Sequence, residues 1–147
     1  MVQPQRPSNL WQADGSLRDV YCSPCTSEHW EGFLRFAEMY EPVYSFEGEI
    51  GRIPSKDSIF TNREGSHLLA LRVGSAQVNC HFFVPEELEL DIDPKEVLDD
   101  AQHDRIMEFL FKLAAAIGLP VRLTPENSPN EPFFMVDPGA QSPRRGG

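Results

Sequence analysis

The chain has 147 residues, 40% of them hydrophobic and 24% charged, a mix that suits one folded domain with its own core and argues against whole-chain disorder. Its formal net charge is −10, and Arg6, Arg144 and Arg145 flank a stretch that holds the other 10 of the 13 cations and all 23 acids. Such a surface repels phosphate backbones, so duplex DNA or RNA is not expected as a ligand, whereas a basic protein partner is.

Residues 1–10 lack apolar periodicity and are expected to form a flexible N-terminal segment. Asp14-Gly15 signals a turn, and residues 17–22 read as a first strand. Alternation puts Leu17, Asp19 and Tyr21 on one face, with Arg18, Val20 and Cys22 on the other. Pro24 ends this strand, and Thr26 or Ser27 offers an N-cap. In the helix that follows, Trp30, Phe33, Leu34 and Ala37 recur at spacings of three and four, which predicts one buried stripe. Pro42 closes the helix and residues 43–47 predict a second strand. Residues 48–65 are rich in breakers, with one short helical turn over 57–60.

Residues 67–73 and 76–83 flank Gly74-Ser75, a two-residue hairpin loop. Counting outward pairs Val73 with Ala76, Leu71 with Val78 and Leu69 with Cys80 on an apolar face. Arg72, Gln77, Asn79 and His81 occupy the other face, with Ala70 and Leu68 between them. Leu88, Leu90 and Ile92 then alternate with Glu87, Glu89, Asp91 and Asp93, the pattern of a half-buried strand. Asp99 or Asp100 caps a second helix whose core stripe is Ile106, Phe109, Leu110, Leu113, Ala116 and Ile117. Gly118 is its C-cap and Pro120 its stop. Residues 121–124 and 133–136 predict short closing strands, and 139–147 a flexible tail. Strands made in runs with two amphipathic helices define an α+β domain over residues 11–138, a mostly antiparallel sheet with both helices packed on one face.

Three groups of residues invite a chemical reading. Cys22-Ser-Pro-Cys25 stands between a strand and a helix, where thioredoxin-like proteins keep a redox pair, but the helix is expected to begin after Cys25. The same cysteines with His29 give Cys-x2-Cys-x3-His spacing for zinc, which Cys80 or His81 would have to complete. Unpaired thiols are the simpler reading, and no cofactor is expected. Ser66, His67 and His81 supply no nucleophile elbow, and both histidines are expected at the surface of the hairpin, so catalysis is not indicated. The third group is the acid run: residues 86–104 hold nine carboxylates, among them Glu87, Glu89, Asp91, Asp93, Glu96, Asp99 and Asp100. Alternation sets the first four about 6.6 Å apart along one side of a strand, a stripe suited to a basic partner. The competing reading is a solvated face that keeps an edge strand from aggregating. Asp91, Asp93 and Glu96 lack the spacing of a helix–loop–helix calcium site.

Asp14-Gly-Ser-Leu-Arg-Asp-Val-Tyr21, Asn79-Cys-His-Phe-Phe-Val-Pro-Glu-Glu-Leu-Glu-Leu-Asp-Ile-Asp-Pro94 and Leu119-Pro-Val-Arg-Leu-Thr-Pro-Glu-Asn127 resemble a group of small acidic bacterial proteins of unassigned function, over residues 14–137. In size, acidity and layout that group is similar to immunity proteins, which block a partner toxin. The resemblance implies a binding protein of immunity or inhibitor type and assigns no residue a role. The absence of a long apolar run argues against a membrane span, and three cysteines without an apolar leader suit a reducing cytoplasm.

Overall fold

In the computed structural model, which describes residues 6–146, every residue of the first strand, β1 (Arg18–Cys22), is buried. A strand covered on both sides belongs in the interior of a sheet, and the pairing bears this out. The order is β3 (Glu49–Gly51), β2 (Val43–Phe46), β4 (His67–Val73), β5 (Ala76–Cys80), β6 (Leu88–Ile92), β1, β7 (Val121–Pro125), β8 (Phe134–Val136) and β9 (Arg144–Arg145). Every neighbouring pair is antiparallel. The expected α+β class is therefore observed, with helices α1 (Ser27–Ala37), α2 (Lys56–Thr61) and α3 (Asp100–Ile117) packed against a nine-stranded sheet.

The helices form where the capping and periodicity direct them. Thr26 is the N-cap of α1, and its backbone N–H donates to Nδ1 of His29 at 2.9 Å, the reciprocal half of a capping box. Trp30, Phe33, Phe36 and Ala37 are its buried residues, so Phe36 takes the inward position expected for Leu34, which is only half-buried. Asp99 caps α3 by accepting from the N–H of Gln102 at 2.8 Å, and Gly118 ends it at φ 74°. Ile106, Phe109, Leu110, Leu113 and Ile117 are buried as expected, but Ala114 replaces Ala116, which is exposed. The two long helices meet through Phe109, whose ring lies 5.5 Å from Phe36 and 5.0 Å from Tyr40.

The hairpin forms in the expected register, Val73 with Ala76, Leu71 with Val78 and Leu69 with Cys80. Gly74 supplies the positive φ of 62° that its turn requires. Three differences from the expected layout matter. Residues 49–51 form strand β3, joined to β2 through Glu47 and Gly48 at φ 51° and 82°. Leu10, inside the segment expected to be flexible, is fully buried, and Trp11 donates its indole N–H to Nδ1 of His103 at 2.8 Å. Arg144 and Arg145, within the expected tail, pair with Met135 and Phe134 as the ninth strand. Residues 1–5 of the expected N-terminal segment and Gly147 lie outside the described residues. Among those described, no helix is long and apolar enough to cross a membrane.

Candidate functional site: the open face of the sheet

Because the helices cover one face of the sheet, the alternate side chains of its strands stand on the other. In β6, Leu88, Leu90 and Ile92 enter the core while Glu89 and Asp91 remain half-buried on the open face, continued by Glu87 and Asp93. β6 lies between β5 and β1, so the expectation that these acids guard an edge strand is corrected. Its backbone pairs with β1 over its whole length and with β5 over residues 90–92, so a ligand meets this face through the side chains.

Neighbouring strands hold that row in place. Asp91 stands opposite Asn79 of β5 and Asp19 of β1, and Glu89 opposite Tyr21. Both oxygens of Asp91 are engaged: Oδ1 accepts from Asn79 Nδ2 at 3.0 Å, and Oδ2 lies 3.0 Å from His81 Nε2. Gln77 donates in turn to Asn79 Oδ1 at 2.7 Å, so a relay of side chains runs along β5 and on to β6. Asp19 is 3% exposed and is satisfied by the Tyr21 hydroxyl at 3.0 Å and the Asn127 N–H at 2.8 Å. Arg122 reaches Glu87 at 3.8 Å and lies 5.8 Å over the Tyr21 ring.

The crowding of carboxylates has an electrostatic consequence. Burial, followed by the charges of Asp19, Glu87 and Asp91, raises the Glu89 carboxyl to about 7. Burial likewise raises Asp19, opposed by its hydrogen bonds from Asn127 and Tyr21. The Tyr21 hydroxyl is raised by burial and by Asp19, so it stays a donor.

Two hollows, of about 450 and 430 Å³, lie side by side on this face. One is lined by Asn79, His81, Asp91, Asp93, Lys95 and Glu96, the other by Glu41, Val43, Ile50, Leu68, Ala70 and Arg72; Gln77 borders both.

Of the acids singled out in the sequence, Glu87, Glu89, Asp91 and Asp93 share this face, with Glu96 at its rim. Asp99 and Asp100 are placed elsewhere: Asp99 caps α3, and Asp100 pairs with Arg6 at 2.7 Å. Asp19, Tyr21 and Arg122 belong to the site and were not singled out. Alternation shows that Asp19 and Tyr21 share a face, but nothing local indicates that β6 is their neighbour.

The cysteines are arranged differently. Cys22 is fully buried in the core, Cys25 is half-buried with its Sγ 3.3 Å from the Cys22 carbonyl oxygen, and all three thiols are free. Burial raises the thiols of Cys22 and Cys25, and pushes that of Cys80 up to about 12. His29 uses Nδ1 to cap α1. Cys22 and Cys80 belong to strands on either side of β6, two strand spacings or about 9.6 Å apart, whereas two sulfurs on one zinc lie within about 4.6 Å. Among the described residues no group of three or more His, Cys, Asp or Glu is placed to hold a metal ion. His67, expected at the surface, is 7% exposed, with Nδ1 2.6 Å from the Tyr44 hydroxyl and Nε2 2.9 Å from the Asn62 carbonyl.

Fold and site together define an α+β domain whose second sheet face is covered at β1 but open beside it, where β6 carries a row of carboxylates. Compared with known proteins, the chain matches no protein family, no curated sequence and no solved structure.

Proposed function

We propose that this chain is a binding protein of immunity or inhibitor type whose open sheet face docks a basic protein partner. The observation that carries the reading is the row Glu87, Glu89, Asp91 and Asp93 on an interior strand, with Asp19 across from Asp91. Successive acids along the row are about 6.6 Å apart, within one Debye length of about 8 Å at physiological salt, so their fields add, with Glu89, raised to about 7, giving its full charge only above that pH. A rigid sheet presents them with little entropy left to lose, which favours fast, oriented encounter with a cationic surface. Binding of this kind asks for no cofactor and no catalytic residue.

The test is affinity capture from a bacterial lysate with the native chain and with an amide variant, Glu87→Gln, Glu89→Gln, Asp91→Asn and Asp93→Asn, which removes charge while keeping shape. The expected result is a basic protein held at low salt, released at high salt, and lost from an amide variant that still melts cooperatively. Equal capture by the two chains refutes the reading.

A further inference from the structure

The open face carries an apolar half beside its acidic one. Ile50 is 78% exposed and Val43 45% exposed, and both stand on the same side of the sheet as Leu68 and Ala70. The register links the halves in a single row, Val43 to Ala70, Ala70 to Asn79, Asn79 to Asp91. Neighbouring strands are about 4.8 Å apart, so Ala70 and Val43 lie about 10 and 14 Å from Asp91 across the sheet. Scattered apolar residues on a surface need no explanation, but these line one hollow that adjoins the acidic hollow at Gln77.

We infer that the two hollows form one composite docking surface, for a protein segment that places a lysine or arginine in the acidic hollow and a large apolar side chain, about 10–14 Å away, over Val43, Ile50 and Ala70. This rests on the basic-partner reading and adds to it a second, uncharged anchor. Charge selects the occupant. Asp91, Asp93 and Glu96 outnumber Lys95 in the acidic hollow, and Lys95 is already 3.4 Å from Asp93. Arg72, opposite Gln77 on the boundary, and Glu41 both line the apolar half, so their charges offset each other and the net negative charge lies in the acidic hollow, which sets the direction in which the segment lies. A second copy of the chain would bring one −10 surface against another, which disfavours it as occupant. The two anchors also divide the work: charge pairs on a wet surface are screened by salt, whereas apolar burial is not.

The experiment selects random 12-residue peptides, displayed on phage, against the full chain. The selected peptides are then measured on two variants, Val43→Ser with Ile50→Ser, and Asp93→Asn with Glu96→Gln. All four side chains are exposed or half-buried, and Asn and Gln keep the backbone contacts of Asp93 and Glu96, so unchanged thermal midpoints are expected. The expected peptides carry a Lys or Arg and a large apolar residue three to five positions apart. Each variant weakens them about tenfold, and only the loss at Asp93 and Glu96 fades at high salt. Basic peptides that ignore Val43→Ser with Ile50→Ser overturn this inference and leave the basic-partner reading standing. Peptides that ignore both variants, or no enrichment at all, overturn both. Sedimentation that shows a dimer broken by Ile50→Ser also overturns the inference, since it gives the apolar half to a second copy.

Discussion

Gln102 of α3 donates its side-chain amide to the backbone carbonyl of Val73 at 2.6 Å, across 29 residues of chain. Its Oε1 accepts from the Ser75 N–H at 3.0 Å, so one buried amide clasps both sides of the β4–β5 turn. A Cβ on Gly74 would collide with that same oxygen, and Gly74 already holds a positive φ. Gln102→Leu leaves two backbone groups without their partner and is expected to lower stability by about 1–3 kcal/mol. Gly74→Ala is expected to destabilise as well, through strain and displacement of the clasp. Urea unfolding measures both, and variants as stable as the native chain would show that the clasp is idle.

A second buried polar group organises the N-terminal approach. The Arg18 guanidinium is almost fully buried and donates to the carbonyls of Asn9, Leu10, Gln12 and Leu17, with the Phe133 ring 5.8 Å from its carbon. Its nearest acid is Asp14 at 3.8 Å, half-exposed, so main-chain oxygens rather than an ion pair compensate the charge. Arg18→Met should cost about 3 kcal/mol, comparable to breaking a buried charged network, and should release residues 9–12 to proteolysis. Limited proteolysis with mapped cleavage sites checks this; an unchanged digest would contradict it.

Glu89 ties stability to pH in a defined direction. Its carboxyl titrates near 7 in the folded chain and near 4.5 when unfolded, so between those values the folded state holds more protons. Stability therefore falls as pH rises across this window and is unaffected below it. Glu89→Gln removes the effect: the two proteins should melt together near pH 4, and the variant should melt higher above pH 7. Because the side chain is partly solvated, the difference is taken as about 1 kcal/mol, or about 2–4 °C in a domain of this size. A melting difference that does not vary with pH would sink the assignment.

The thiols should separate by burial. With a thiol reagent at pH 8, Cys25 is expected to react slowly, and Cys22 and Cys80 only after unfolding, when three thiols appear. His29→Ala should cost about 0.5–1 kcal/mol through the lost α1 cap, by the same amount with and without a chelator. A chelator-dependent loss would instead assign His29 to a metal.

The features that could be read in the sequence are those set by local chemistry. Gly74-Ser75 announces its turn, and with it the register of five residue pairs between β4 and β5. Thr26, Asp99 and Gly118 mark helix ends because their side chains, or the lack of one, satisfy backbone groups. β3 escaped because its turn places Glu47, an unusual residue at positive φ, ahead of Gly48, and because its three residues are all exposed and show no alternation. Arg18 was correctly placed on the face of Val20 and Cys22, yet its partners are carbonyls, which leave no trace in composition. The site was half legible. The acid row along β6 follows from alternation, while the position of β6 between β5 and β1 depends on contacts with strands 12 and about 70 residues away, and is a property of the whole chain.

That position has a consequence for how recognition can change. With both backbone edges of β6 occupied by β5 and β1, a visitor cannot lend it a strand and must read the face by its side chains. The row is thus like type set in a locked frame: Glu87, Glu89 and Asp93 can be exchanged one at a time while the hydrogen-bonded sheet beneath them stays as it is. A lineage carrying this scaffold could change the charge and shape of the face by re-lettering a few positions, with no new fold to invent.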